Sequence, residues 1–238
     1  MRSISIGGLR VDDVTMDTAV HRCIELIDAG GGAVFTPNAE MANFALDDAE
    51  FMAVLNGGDL IVPDGAGVVL AAKLLGTPIS GKVAGCDLAQ NLLPWFEKKG
   101  YGLFLFGAKP DIAKSAAAKI LSLYPKLVIS GIADGYYDNE QDRVNLMKSS
   151  GAMVCFVCLG SPKQELFIAR HKNDLGILMM GLGGTLDILA GTAKRAPDFY
   201  VNHNLEWLYR IAGNPTRWKR SLNLPAFIIK VLKLRGRK

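Results

Sequence analysis

No stretch of this chain approaches the roughly 18 consecutive apolar residues needed to cross a bilayer, although half of its 238 residues are apolar. The longest such run, Ala152 to Leu159, has the length of a buried strand. Residues Met1 to Ile6 lack the apolar segment and cleavage site of a secretory signal. A cytoplasmic location is expected. Cysteine is scarce, with four in all. Cys155 and Cys158 have Cys-x-x-Cys spacing, but there is no second pair, and positions three apart on a strand face opposite ways. Buried structural thiols are expected there, and also at Cys23 and Cys86. His21, His171 and His203 stand alone, so no metal site is expected. Nucleotide signatures are missing too. No Gly-x-Gly-x-x-Gly follows the first strand, and no Walker lysine motif occurs. Nor is there an Asp-x-Asp pair of the kind that holds a divalent ion beneath a sugar nucleotide.

The charge is uneven. Lys and Arg number 27 against 23 Asp and Glu, a net +4. From His203 to Lys238, nine Lys or Arg stand against one acidic residue, a net +8; positions 1–202 carry 18 basic and 22 acidic residues, a net −4. A basic tail on a mildly acidic body points to an anionic partner: lipid headgroups, nucleic acid or a diphosphate.

The body is regular. Ile4 to Val11 alternates on both sides of Gly7-Gly8 and predicts a β-hairpin. A helix from about Asp17 carries Val20, Cys23, Ile24 and Ile27 at helical spacing, and glycines 30 to 32 end it. Ala33 to Phe35 reads as a buried strand with Thr36-Pro37-Asn38 at its end, and helical spacing resumes at Met41. Leu60-Ile61-Val62 is a second short strand, broken by Pro63-Asp64-Gly65 before a helix from Ala66. Two successive strands thus deliver Thr36 with Asn38, then Asp64, to one sheet edge. The run Gly81 to Cys86 leads into another helix, with Asp87 as its expected N-cap. Strands at 103–106, 127–129, 153–159 and 177–180 then alternate with helices at 111–123, at 139–148 and after Gly160-Ser161-Pro162-Lys163-Gln164-Glu165. Gly181-Leu182-Gly183-Gly184-Thr185 closes the series.

This alternation predicts an α/β fold: a Rossmann-like, mostly parallel sheet with flanking helices, an N-terminal β-hairpin and a C-terminal helical appendage. The expected division is a core over 1–195 and an appendage over 196–238. Open sheets of this kind bind ligands outside the carboxyl ends of their strands. Asp64, on a turn at such an end, is a candidate general base; the competing reading is an Asx hydrogen bond to its own backbone. The glycine-rich strand ends offer N–H groups and helix N-termini to a nucleotide diphosphate.

Read together, several stretches resemble the WecG/TagA/CpsF family of bacterial glycosyltransferases. They are Thr36-Pro37-Asn38-Ala39-Glu40, Pro63-Asp64-Gly65-Ala66-Gly67-Val68, Val83-Ala84-Gly85-Cys86-Asp87-Leu88 and Leu159-Gly160-Ser161-Pro162-Lys163-Gln164-Glu165. Gly181 to Thr185 with Asp187, Arg195-Ala196-Pro197 and Leu205-Glu206-Trp207-Leu208-Tyr209-Arg210 complete the set, in the family's order over about residues 4 to 220. The resemblance implies an inverting, metal-independent, UDP-sugar-dependent hexosyltransferase needing no cofactor. Such enzymes move N-acetylmannosamine, or its uronic acid, onto polyprenyl-diphosphate-linked N-acetylglucosamine for teichoic acid or cell-surface polysaccharide. The resemblance makes Asp64 the general base. It puts Thr36 and Asn38 at the donor sugar and Gln164 in donor binding. Lys82 falls where a basic residue, often Arg, is expected; Lys keeps the charge and loses the bidentate fork. The bland readings are a helix cap for Asn38, an ordinary first helical turn for Lys163-Gln164-Glu165 and a structural ion pair for Asp187 with Arg195.

The tail completes the expectation. Asn223-Leu224-Pro225 starts a last helix with Leu224, Phe227, Ile228 and Val231 on one face and Lys230, Lys233 and Arg237 on another. Too short and too charged to span, it suits an anionic leaflet, or else its apolar face docks on the protein's own core. By the resemblance the appendage associates with the inner face of the cell membrane and closes over the site, and Arg210, Arg217 and Arg220 supply cations to the UDP leaving group. The competing functions are transfer of another UDP-hexose, a noncatalytic nucleotide-sugar sensor, and a nucleic-acid-binding protein gripping phosphates with the basic tail; this last is disfavoured. A homo-oligomer is compatible with the apolar surface that the tail would cover.

Overall fold

The computed structural model describes residues 1–193, 196–197, 199–200, 209 and 223–235. Strands β1 (Arg2–Ile6) and β2 (Leu9–Asp13) form the expected antiparallel hairpin. Its two-residue turn has Gly7 and Gly8 at φ +62° and +99°, the left-handed pair that a tight hairpin needs. Helix α1 (Met16–Asp28), capped by the Thr15 hydroxyl, leads to β3 (Gly32–Phe35). Helices α2 (Ala39–Ala45) and α3 (Ala49–Asn56) precede β4 (Leu60–Ile61), and α4 (Ala66–Leu74) and α5 (Gly85–Lys99) follow it. The rest alternates: β5 (Leu103–Gly107), α6 (Pro110–Leu123), β6 (Ile129–Ala133), α7 (Glu140–Ser149), β7 (Val154–Cys158), α8 (Lys163–Leu175), β8 (Leu178–Gly181) and α9 (Thr185–Leu189). The last described helix is α10 (Asn223–Arg235).

Six strands make one wholly parallel sheet in the order β4-β3-β8-β7-β5-β6. Side-chain alternation along it builds a core on each face. In β5, Leu103 and Leu105 join the layer with α1, α5 and α6, while Phe104 and Phe106 join the layer with α2, α3, α8 and α10. All four are fully buried, each contributing roughly 1.5–3 kcal/mol. Cys155 and Cys158 fall in opposite layers, as their spacing requires. Burial pushes the Cys158 thiol up to about 12 and Cys155 well above its ordinary value, so both are unreactive at neutral pH.

Three local expectations need correction. The sixth strand is Ile129–Ala133 rather than 127–129: Leu103 donates to the Val128 carbonyl, and a bulge between Leu103 and Phe104 then carries the pairing on to Ala133. β4 stops at Ile61, because Val62 still donates to Phe35 but Pro63 has no N–H to continue. Asp87 is not the cap of α5. That helix starts at Gly85 behind Ala84, and Asp87 lies in its first turn, favourable to the helix dipole.

The hairpin is tied to the sheet by one buried carboxylate. Asp12 accepts from Ser3 Oγ at 2.7 Å and from the Ile61 N–H of β4 at 2.8 Å. Of the two placements open to the apolar face of the last helix, the structure shows docking on the core. Phe227 and Val231 are fully buried among α2 and α4, Leu224 and Ile228 are half-buried, and Lys230 pairs with Asp47. Among the described residues no helix is long and apolar enough to cross a membrane.

Candidate active site

The chain leaves β3 towards β4 at one edge, whereas it leaves β8 towards α9, which packs on α5 and α6 over the other half of the sheet. The β3–β8 border is therefore the topological switch point, the place beyond whose carboxyl ends open sheets bind ligands. Thr36 stands at this border. Buried one residue past β3, it donates from Oγ1 to the Gly181 carbonyl at the end of β8, 2.9 Å away. Gly85, opening α5, comes so close that a Cβ there would stand 3.0 Å from Thr36 Cγ2 and Oγ1. Glycine there lets the helix N-terminus pack tightly against this threonine.

Asp64 is carried to the same place by backbone contacts. Its N–H donates to the Pro37 carbonyl at 3.2 Å, and the Val83 N–H donates to Pro63 at 2.9 Å. These bonds join Thr36-Pro37-Asn38, Pro63-Asp64-Gly65 and Lys82-Val83 in one cluster of strand ends, with Asp64 and Lys82 half-buried. Gly65 has φ +84°, and a Cβ on it would meet Asn38 Cβ at 3.8 Å. Asn38 is the N-cap of α2: its Oδ1 accepts from the N–H groups of Glu40 and Met41 at 2.9 and 3.1 Å. Its Nδ2 takes no part in that cap.

Gln164 is almost wholly buried in the first turn of α8. Its Oε1 accepts from Gly160 N–H at 3.2 Å and Gly183 N–H at 2.9 Å, joining the turns beyond β7 and β8. Its Nε2 donates to Glu165 Oε1 at 2.7 Å. Glu165 is fully buried, and burial pushes its carboxyl up against the opposing hydrogen bonds from Gln164 and Ser161. Sequence reasoning placed Glu165 in a motif without giving it a role; the available signal was two adjacent polar residues opening a helix between two glycine turns. Thr36, Asn38, Asp64 and Lys82 are thus brought together, and Gln164 reaches them through Gly181, where a Cβ would meet its Nε2 at 3.1 Å. Arg210, Arg217 and Arg220 lie outside the described residues, as does Arg195.

The N-terminus of α10 borders the cluster. Asn43 of α2 donates to Asn223 Oδ1 at 3.1 Å, and a Cβ on Gly67 would stand 2.6 Å from Leu224 and 2.7 Å from Ala39. The last helix therefore lies over the first turns of α2 and α4, which begin just past Asn38 and Asp64.

A carboxylate, a threonine and glycine turns thus gather at the switch point of a parallel sheet, the place where α/β enzymes of this architecture bind their ligands. The chain matches the glycosyl transferase WecG/TagA/CpsF family over residues 4–238, and it belongs to that family. Its relatives include N-acetylglucosaminyldiphosphoundecaprenol N-acetyl-beta-D-mannosaminyltransferases. That of Bacillus subtilis (strain 168) is 39% identical over 85% of this chain and 80% of its own. That of Bacillus spizizenii (strain ATCC 23059 / NRRL B-14472 / W23) is 34% identical over 94% and 88%. That of Staphylococcus aureus (strain MW2) is 32% identical over 84% and 79%.

Proposed function

We propose that this chain transfers N-acetylmannosamine from its UDP conjugate to N-acetylglucosamine carried on a polyprenyl diphosphate, with inversion at the anomeric carbon. What carries the reading is the clustering of Asp64, Thr36 and Asn38 on adjoining strand ends, in a chain whose relatives are named for that transfer. Asp64 takes the proton from the acceptor hydroxyl as that oxygen attacks the anomeric carbon, and UDP departs from the opposite face. Thr36 and the amide of Asn38 orient the sugar. Gln164 and the turns it joins receive the diphosphate, with Lys82 nearby as a cation. Arg210, Arg217 and Arg220 neutralise the charge that develops on UDP. The segment 196–238 acts as an appendage to the core 1–195, and its α10 brings the enzyme to the cytoplasmic face of the membrane. Ile229, Leu232 and Lys233 on the outward side of that helix, all exposed, support contact with anionic lipid.

The test is UDP release by purified protein with a lipid-diphosphate-linked N-acetylglucosamine acceptor and a panel of UDP-sugars, beside Asp64→Ala and a chelator control. Acceptor-dependent, chelator-resistant turnover of UDP-N-acetylmannosamine, lost in the variant, is expected. Turnover of a different UDP-hexose would reassign the donor. UDP binding with no turnover of any donor would overturn the enzyme reading in favour of a sensor.

A further inference from the structure

The mechanism above gives no part to Glu165, a fully buried carboxyl group. We infer that Glu165 is a positioning residue for the donor site, acting through Gln164: it accepts from Gln164 Nε2 and so keeps the Gln164 oxygen turned towards the N–H groups of Gly160 and Gly183. The inference rests on the UDP-sugar reading above.

A glutamine amide keeps its shape when rotated by half a turn but exchanges its acceptor for its donors. In the observed orientation every contact is complementary: two backbone donors meet Oε1, and Nε2 meets a carboxyl oxygen at 2.7 Å. The rotated amide would set NH2 against two N–H donors and oxygen against oxygen. An acceptor at position 165 therefore selects the orientation, and Gln164 Oε1 then joins two turns from different strands. Those turns have left-handed glycines, Gly160 at φ +79° and Gly183 at φ +55°, which adopt many conformations when untied. The pair also lies against Gly181. A Cβ there would stand 3.1 Å from Gln164 Nε2 and 3.3 Å from Glu165 Oε1, and the Gly181 carbonyl accepts from Thr36. A line of contacts so runs from Glu165 to the sugar-orienting threonine. Glu165 Oε2 is buried with no hydrogen-bond partner of normal geometry among the described residues, and burial raises the pKa of the carboxyl.

The experiment compares full-length wild type, Glu165→Gln and Glu165→Leu by UDP calorimetry, donor KM and kcat, thermal melting and NMR exchange of the Gly160 and Gly183 amides. Gln keeps an acceptor and is expected to stay within about twofold of wild type. Leu is expected to raise UDP Kd and donor KM about tenfold, to leave kcat within about threefold, and to speed exchange at Gly183. Should the Leu variant not fold, Gln164→Glu is expected to raise donor KM and the double swap with Glu165→Gln to restore it. A folded Leu variant that binds UDP like wild type, a Gln variant as impaired as Leu, or a double swap that restores nothing would overturn the inference. A wild type that does not bind UDP would instead overturn the donor reading, with Gly183 exchange still reporting on the positioning.

Discussion

At its first turn α8 buries Gln164 and Glu165 against the glycine turns beyond β7 and β8. Two turns later the same helix meets α7 at the surface: Glu140 accepts from Arg170 Nη2 at 2.8 Å and lies 2.7 Å from His171 Nε2. The first arrangement is shielded and bonded to backbone. The second is ionic, partly solvated and made between side chains. Exposed ion pairs are worth about 0–1 kcal/mol and tolerate rearrangement, whereas a buried polar group that loses its partner costs about 1–3 kcal/mol. The site end of the molecule is therefore the end that cannot change without moving the strand ends it joins, and the far end holds helices together loosely.

The sharpest way to test that contrast is at Asp64. Replacement by Asn should lower turnover about 10³-fold and leave UDP affinity within about threefold; a loss confined to binding would break the assignment of Asp64 as base. Next in size, Phe227→Ala should cost about 3 kcal/mol of stability by emptying the site beneath α10, read as a lowered denaturation midpoint with full secondary structure retained. Asp12→Ala should cost about 2 kcal/mol, because the Ile61 N–H loses its acceptor. At the far end, Arg170→Ala should cost less than about 1 kcal/mol and leave donor KM unchanged; a shift in KM would erase the distinction between the two ends. Glu140 adds a pH test. Burial raises its pKa, but the hydrogen bonds from His171 and Arg170 more than offset this, and its carboxyl sits below the ordinary 4.5. It contributes stability that is complete above that value and fades as the pH falls below it, and Glu140→Gln should flatten that part of the stability profile.

Much of this was legible in the sequence. The periodicity of Val20, Cys23, Ile24 and Ile27, the glycine breaks and the alternating strands fixed a parallel α/β sheet, and Pro63-Asp64-Gly65 put a carboxylate at a strand end. Strand order was not legible. Nothing in residues 178–181 says that β8 inserts between β3 and β7, because that depends on which helix layers the connections cross. The apolar face of α10 was visible as a face, but amphipathicity records only that something covers it; the partners Ala39 and Gly67 lie more than 150 residues upstream. Glu165 escaped notice because an acidic residue in a first helical turn is ordinary, and its complete burial comes from Gly181 admitting it, a close approach between residues 16 apart.

The Asn43–Asn223 bond, which spans 180 positions, has a consequence for how the molecule is made. A growing chain folds its N-terminal elements as they emerge, so β3, β4 and the helices at Asn38 and Gly65 can assemble long before α10 exists to cover them. The surface awaiting Phe227 and Val231 is apolar and stays open throughout that interval. Nascent chains of this protein should therefore pass through a stage with a formed sheet and an uncovered flank, during which a chaperone that holds apolar surface would find its target beside the site.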